Sequence, residues 1–348
     1  MQIGSYIRRQ PSTLTSLPAE IRAALDGFAS LRQKPERIVL LGTGSSMNAL
    51  LAGAEALEEG TGASVIAKEP EAFLRLPPTA SNQTLVLAAS QSGMSITTIE
   101  AVRLSMARGF PTLVITGEAD SLITRESAEV LVMPIGPETV GPKTMGYTAT
   151  VMSVLAVAAR LAGGTVDVSG LLAELEPTVE TGLAAAKDLI ARFGVPDYIL
   201  VAGQATHLGT ALETSLKIAE ISGVPTASFD TEEALHGHSY GTTEKSLVVM
   251  IAQTAEEAKV AANLGEALTP LGPRLVIANL SSHATRFDLA VDWPKMPGLD
   301  WIAASWAPIP FQWYGCALAK ARGVDPDKMI YPGLGAKLNV RPPKAAVA

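Results

Sequence analysis

Arg37-Ile-Val-Leu-Leu-Gly-Thr-Gly-Ser-Ser46 decides how this chain reads. Four consecutive apolar residues, two of them β-branched, predict a strand buried on both faces. Gly42 and Gly44 then punctuate the chain, and small hydroxyl residues open a helix over 45–59. A strand that turns through glycine into a helix is the first half of a βαβ unit.

The same alternation continues outward. Strands are predicted over 84–89, 111–117 and 130–134, with helices over 95–108, 121–128 and 147–161. It then recurs, with strands over 198–203, 246–252 and 274–278 and helices over 210–221 and 255–268. Strands separated by helices predict parallel pairing, hence an α/β fold of three layers in which helices flank each sheet. Overlaying Gly42 on Gly203 gives an offset of 161 residues, which sets Leu85 on Ser246. A shift of 162 sets Leu113-Val-Ile on Leu275-Val-Ile. The chain therefore reads as two similar halves in tandem, divided at Ala162-Gly-Gly-Thr. The expected domains are 1–163 and 164–330, the latter entered through a helical connector over 164–195. Past a stretch rich in proline and tryptophan over 296–310 comes a helix over 311–322. A glycine-rich tail, 331–348, follows.

Length and composition agree with this division. At about 150 residues per domain, 348 residues predict two domains. An apolar fraction of 47% and a charged fraction of 18% suit a large core and exclude a disordered chain. The net charge of −7 argues against nucleic acid as a partner. A single cysteine, Cys316, forms no internal disulfide and no cysteine-rich metal site, which fits a cytoplasmic setting. The N-terminus lacks the apolar stretch of a signal peptide. The longest apolar-looking run, 147–159, stops at Arg160 and is too short to span a bilayer. No membrane association is expected.

Four motifs could carry chemistry. Gly42-Thr-Gly-Ser-Ser46 lies between strand and helix, where unpaired N–H groups and the helix dipole suit an anion. Met47 stands where a dinucleotide fingerprint has its third glycine, and the Gly-Lys-Ser/Thr of a P-loop is missing. Ser90-Gln-Ser-Gly-Met-Ser95 repeats the arrangement at the next strand end. Simple capping explains either loop alone. Two at the carboxyl ends of strands point to a phosphate held by neutral donors. Glu213, Lys217 and Glu220 share one helix face, as an exposed ion ladder or as part of a site. Glu233-Ala-Leu-His236-Gly-His238 brings two of the four histidines together; His236 could act as general acid or base. No Cys/His cluster completes a metal site around them.

Taken in order, these motifs resemble the sugar isomerase (SIS) family over nearly the whole chain, as two tandem SIS domains. The narrower resemblance is to the isomerase half of glucosamine-6-phosphate synthase and its stand-alone relatives. The family's Gly-Thr-Ser and Ser-Gln-Ser-Gly loops resemble Gly44-Ser45-Ser46 and Ser90-Gln91-Ser92-Gly93, with Ser95 at the family's threonine. Leu-Lys-x-x-Glu-Ile-Ser is similar to Leu216-Lys217-Ile-Ala-Glu220-Ile-Ser. Glu-Leu-x-His-Gly is similar to Glu233-Ala-Leu-His236-Gly, and the C-terminal Ala-Lys to Ala336-Lys337.

The resemblance implies a fold, a reaction and a set of roles. Ser45, Ser46, Ser90, Gln91, Ser92 and Ser95, with Gly44 and Ala336, would bind the phosphate and hydroxyls of a sugar phosphate. His236 would assist ring opening, in its own subunit or in a neighbouring one of a homodimer. Lys337 would form a Schiff base at a ketose C2 or orient the open chain. Glu220 would move a proton between C1 and C2, with Lys217 as a supporting charge. No metal or redox cofactor is implied. The implied reaction is conversion of glucosamine 6-phosphate to fructose 6-phosphate and ammonia. The alternatives are deglycation of a fructosamine 6-phosphate and a phosphosugar-binding regulator without catalysis. A regulator's helix-turn-helix domain is not expected in the few residues before Arg37. A nucleotide enzyme is disfavoured by the incomplete glycine fingerprints. Two departures bear on substrate choice: Met94 replaces the family's glutamate, and Lys143 falls in a segment unlike the synthase's Ala-Ser-Thr-Lys. No cysteine follows Met1 and no glutaminase segment is recognisable, so glutamine-dependent synthesis is not expected of this chain alone.

Overall fold

The computed structural model describes residues 1–79, 81–168, 171–279, 290–292 and 300–342. In chain order, α1 (Ile3–Gly27) precedes β1 (Arg37–Leu41), α2 (Ser45–Ala52), α3 (Ala54–Thr61), β2 (Ser64–Lys68) and α4 (Pro70–Arg75). Then come β3 (Thr84–Ala89), α5 (Ile96–Ala107), β4 (Thr112–Thr116), β5 (Val130–Val132), α6 (Met145–Leu161) and α7 (Leu171–Phe193). The repeat follows with β6 (Tyr198–Ala202), α8 (Thr206–Ser222), β7 (Thr226–Phe229), α9 (Thr231–Leu235), β8 (Ser246–Ala252) and α10 (Ala255–Leu268). It ends with β9 (Arg274–Asn279), β10 (Ala290–Asp292), α11 (Ala303–Trp306), α12 (Ile309–Ala321) and α13 (Leu334–Lys337).

The chain divides into two compact units. The first-sheet unit comprises Ser12–Thr139, Met145–Ser169 and Tyr331–Ala348; the second-sheet unit comprises Met1–Pro11, Val140–Thr144 and Gly170–Ile330. In the first, five parallel strands run in the order β2-β1-β3-β4-β5. Val39, Leu41, Val86, Ala88 and Val114 pack with Phe73, Ile99, Val102 and Phe110. The alternate residues Ile38, Leu40, Leu85 and Leu87 are equally buried. Covering both faces is why these strands read as unbroken apolar runs. The helix predicted over 45–59 is interrupted at Gly53, where a Cβ would stand 2.4 Å from Val154 Cγ1 of α6. The helix predicted over 121–128 is one 3-10 turn, Leu122–Arg125.

The second-sheet unit has the same topology, β7-β6-β8-β9-β10, again all parallel. Leu200, Val248, Met250 and Ile277 form its core with Ala258, Leu264 and Leu268 of α10. Asp327 caps the start of α1 by accepting from the N–H groups of Gln2 and Ile3, each at 2.7 Å. Buried Gln10 donates through Nε2 to Gln312 Oε1 at 2.7 Å. In the proline-rich stretch, 296–299 lie outside the described residues. No described helix is long and apolar enough to cross a membrane.

Strand pairing corrects the register of the internal repeat. Arg37 pairs with Thr84, and its counterpart Tyr198 pairs with Ser246. Thr84, not Leu85, is therefore the equivalent of Ser246. A slip of one residue exchanges the two faces of a strand, so the ladder decides the matter where apolar similarity does not. Counting on from these ladders, Ser46 corresponds to His207, Gln91 to Gln253 and Ser95 to Glu257.

The turns that open α2 and α8 share one unusual backbone conformation. Gly44 has φ 55° and ψ −135°, and Ala205 has φ 55° and ψ −129°. Glycine adopts this region freely, whereas an L side chain there is strained by about 1–3 kcal/mol. Ala205→Gly is therefore expected to raise the thermal unfolding midpoint by a few degrees, and Gly44→Ala to lower it. A lower midpoint for Ala205→Gly would contradict the strain.

Candidate functional site

In the first-sheet unit β2 lies on one side of β1 and β3 on the other. The chain leaves β1 toward β2 and leaves β3 toward β4, in opposite directions, which opens a crevice at the carboxyl ends of β1 and β3. The loops 42–44 and 90–95 border it. Neither Gly44 nor Ser95 supplies a side-chain cap, so α2 and α5 begin without one. Buried Ser46 ties the loops together, its Oγ accepting from the Gln91 N–H at 3.2 Å. Thr98 donates to Ser95 Oγ at 2.9 Å, and the Thr43 and Ser95 hydroxyls lie 3.4 Å apart. Ser90 is buried, while Ser45, Ser92 and Ser95 are half-buried. Gly93 has φ 62°, and a Cβ there would stand 1.9 Å from Ser121 Oγ, so the turn accepts glycine only.

The tail belongs to the same unit. The Val340 carbonyl accepts from the Ile96 N–H at 3.3 Å, one residue past Ser95. Ala336 and Lys337 lie exposed on the adjoining short α13. Neutral hydroxyls and amides at two helix N-termini suit a phosphate group.

The corresponding crevice of the second sheet is furnished differently. His207 is buried, with Nδ1 3.2 Å from Thr210 Oγ1 and Nε2 bonded to Gln253 Oε1. Glu257, the equivalent of Ser95, accepts from the N–H groups of Gln253 at 2.6 Å and Thr254 at 3.2 Å. Thr254 Oγ1 in turn accepts from the Glu257 N–H at 3.2 Å, completing a capping box on α10. The chain's own carboxylate thus serves the Gln253 and Thr254 N–H groups, whereas in the first sheet the Gln91 N–H turns to the neutral Ser46 hydroxyl and Ser95 caps no helix.

Helix α8 carries an acid–base row. Glu213, Lys217 and Glu220 share a face at i, i+4 and i+7. The Lys217 ammonium bonds to Glu220 Oε2 and lies 3.8 Å from Glu213 Oε1. The side chains of Glu213 and Lys217 are 0% and 3% exposed, that of Glu220 27%. A buried cation therefore holds a carboxylate that solvent can reach, which is not the arrangement of an exposed ladder. His236, at the end of α9, is exposed, with Nε2 3.9 Å from Glu232 Oε1. His238 stacks on Phe229 with ring centroids 3.5 Å apart.

The predicted residues are thus distributed as follows. Gly44, Ser45, Ser46, Ser90, Gln91, Ser92, Ser95, Ala336 and Lys337 fall in the first-sheet unit. Lys143, half-buried, and Lys217, Glu220 and His236 fall in the second-sheet unit. Sequence reasoning overlooked Thr43, whose signal was its place between the two loop glycines. Among the described residues no cluster of three or more His, Cys, Asp or Glu could hold a metal. Burial pushes the Cys316 thiol up to about 12, helped by the negative charge of Asp327, which leaves it inert as a nucleophile.

Comparison with known proteins agrees with this architecture. The model of the SIS domain matches residues 30–160 and 196–318. The glutamine–fructose-6-phosphate aminotransferase (isomerizing) of Acidithiobacillus ferridurans is 29% identical over 318 residues, covering 86% of this chain and 52% of that protein. The chain spans about half the length of the curated relatives it matches. The C-terminal domain of glucosamine-fructose-6-phosphate aminotransferase from Francisella tularensis superposes with a TM-score of 0.80 at 20% identity, covering 94% of this chain and 98% of that one. Glucosamine-6-phosphate deaminase from Thermotoga maritima superposes with a TM-score of 0.74 at 21% identity, covering 93% and 98%.

Two outcomes are expected of this geometry. Ser95→Glu, which transplants the second sheet's carboxylate onto the first, should weaken calorimetric binding of glucose 6-phosphate by at least about tenfold; unchanged affinity would remove the loop from the anion site. Cys316 should stay unmodified by a thiol-specific disulfide reagent at pH 8 in the folded protein and react once unfolded. Fast reaction of the folded protein would contradict its burial.

Proposed function

This chain belongs to the SIS domain family, and from that premise we propose that it is a phosphosugar isomerase that deaminates glucosamine 6-phosphate to fructose 6-phosphate and ammonia. In this reading the two domains, 1–163 and 164–330, are tandem SIS domains, and the tail 331–348 contributes Ala336 and Lys337 to the site. Ser45, Ser46, Ser90, Gln91, Ser92 and Ser95 bind the phosphate and sugar hydroxyls. His236 assists ring opening, from this chain or from a second copy in a homodimer. Glu220 takes the C2 proton of the open-chain aldehyde and returns it to C1 through an enolamine. The resulting C2 imine takes up water and releases ammonia and the ketose. Lys337 orients the open chain or exchanges with the imine as a Schiff base, and Lys217 fixes the Glu220 carboxylate.

The observation that carries the reading is the row on α8. Loops alone would serve a protein that only binds phosphosugars. Burying a lysine beside two carboxylates is costly unless the charges are mutually compensated, and it adds nothing to phosphate binding. It does give a fixed, accessible proton acceptor, and general-base assistance is worth about 10²–10⁴-fold. The names of the similar proteins support a sugar 6-phosphate as substrate. Deglycation of a fructosamine 6-phosphate is the second reading, favoured by Met94 and Lys143, which depart from the synthase pattern and could answer a larger substituent on nitrogen.

Incubation with glucosamine 6-phosphate should yield fructose 6-phosphate and ammonia in equal amounts. Glu220→Gln should lower turnover by about 10²-fold or more while leaving substrate affinity within a few-fold. Binding without any product would point to a fructosamine 6-phosphate or to a sensor. Full activity in Glu220→Gln would remove it as the base.

A further inference from the structure

One buried carboxylate in the first-sheet unit has no part in these roles. Glu138 is 4% exposed. Its Oε1 accepts from the Met145 N–H at 3.1 Å and its Oε2 from the Gly146 N–H at 2.8 Å. It thereby secures the first turn of α6 from seven residues upstream, satisfying N–H groups that a helix start leaves open.

Gln91 lies against the same turn. A Cβ on Gly146 would stand 2.7 Å from Gln91 Cγ, 3.1 Å from its Cδ and 3.1 Å from Glu138 Oε2. Gly117 forms a second wall, where a Cβ would stand 3.1 Å from Gln91 Nε2 and 3.1 Å from Gln91 O. The Gly117 N–H also donates to the Gln91 carbonyl at 2.9 Å. The Gln91 side chain thus fills a slot lined by two glycines, and its buried Nε2 has no hydrogen-bond partner among the described residues. Its main chain meanwhile holds the loop, donating to Ser46 and accepting from Gly117.

Simple electrostatics argues against a buried carboxylate in a unit that binds an anion, because the like charge opposes binding. Its presence calls for a positional benefit. We propose that Glu138 is a positioning residue for the phosphate loop. It fixes the first turn of α6, Gly146 in that turn seats Gln91, and Gln91 sets the loop 90–95 against Ser46. The inference rests on the reading that this loop binds a sugar phosphate, and it adds a specificity determinant that never touches the ligand.

A double-mutant cycle tests it, with glucose 6-phosphate titrated calorimetrically into the full chain. Glu138→Gln would turn an amide NH₂ toward a backbone N–H and should weaken binding about tenfold. Gln91→Ala should do the same. The double variant should bind no more than about twofold worse than Gln91→Ala, because both act through one side chain. In turnover of glucosamine 6-phosphate the effect should fall on KM rather than kcat. Should Glu138→Gln fail to fold, Gly146→Ala, whose Cβ displaces Gln91, takes its place in the same cycle. Additive losses, or unchanged affinity in Glu138→Gln, would overturn the proposal. If the native chain binds no glucose 6-phosphate, the first titration shows it, and the functional reading itself fails.

Discussion

A parallel strand reaches its parallel neighbour only by a crossover, and each crossover helix here begins just beyond the carboxyl end of a strand. That constraint organises both units. It gathers helix N-termini, with N–H groups that no preceding turn can satisfy, along one edge of each sheet. Between β1 and β3 the crossovers diverge, so the starts of α2 and α5 border an open crevice. The first sheet supplies hydroxyls there and no side-chain cap. The second sheet closes the same place with Glu257 and with the His207–Gln253 contact. One architecture thus yields a place that can accept an anion and another already holding one of its own.

The two copies of the repeat differ along their first helix as well. Counting on from β1 and β6, Glu213 and Lys217 of α8 correspond to Ala52 and Ala56, both buried. Where α8 runs unbroken, its counterpart divides at Gly53 against Val154. A small-residue contact in the first half has become a charged row in the second. The halves therefore keep topology, register and the turn shared by Gly44 and Ala205 while their side chains diverge in use.

Much of this was legible in the sequence for a physical reason. Strands buried on both faces leave uninterrupted apolar runs, and β1, β3, β4, β6, β8 and β9 all do so. The less buried strands β2 and β7 carry no such signal. The 25-residue α1 is not among the predicted elements, and it contains both Pro11 and Pro18, residues that ordinarily break a helix. The loop residues were legible because hydroxyls and glycine are local signals. Burial of Lys217 was not, since helical spacing alone fits an exposed ladder equally well. Glu138 was invisible for a different reason: its bonds reach Met145 and Gly146 across a loop, and no local pattern announces them.

In the proposed function a sugar phosphate is taken at the switch point of the first sheet and not at that of the second. Backbone amide resonances followed through a titration with glucose 6-phosphate distinguish the two places. Saturable shifts are expected at Ser45, Ser46 and the amides from Ser92 to Ile96, with Gln253, Thr254 and Glu257 unmoved. Shifts centred on Gln253–Glu257, with the loops after β1 and β3 silent, would contradict it.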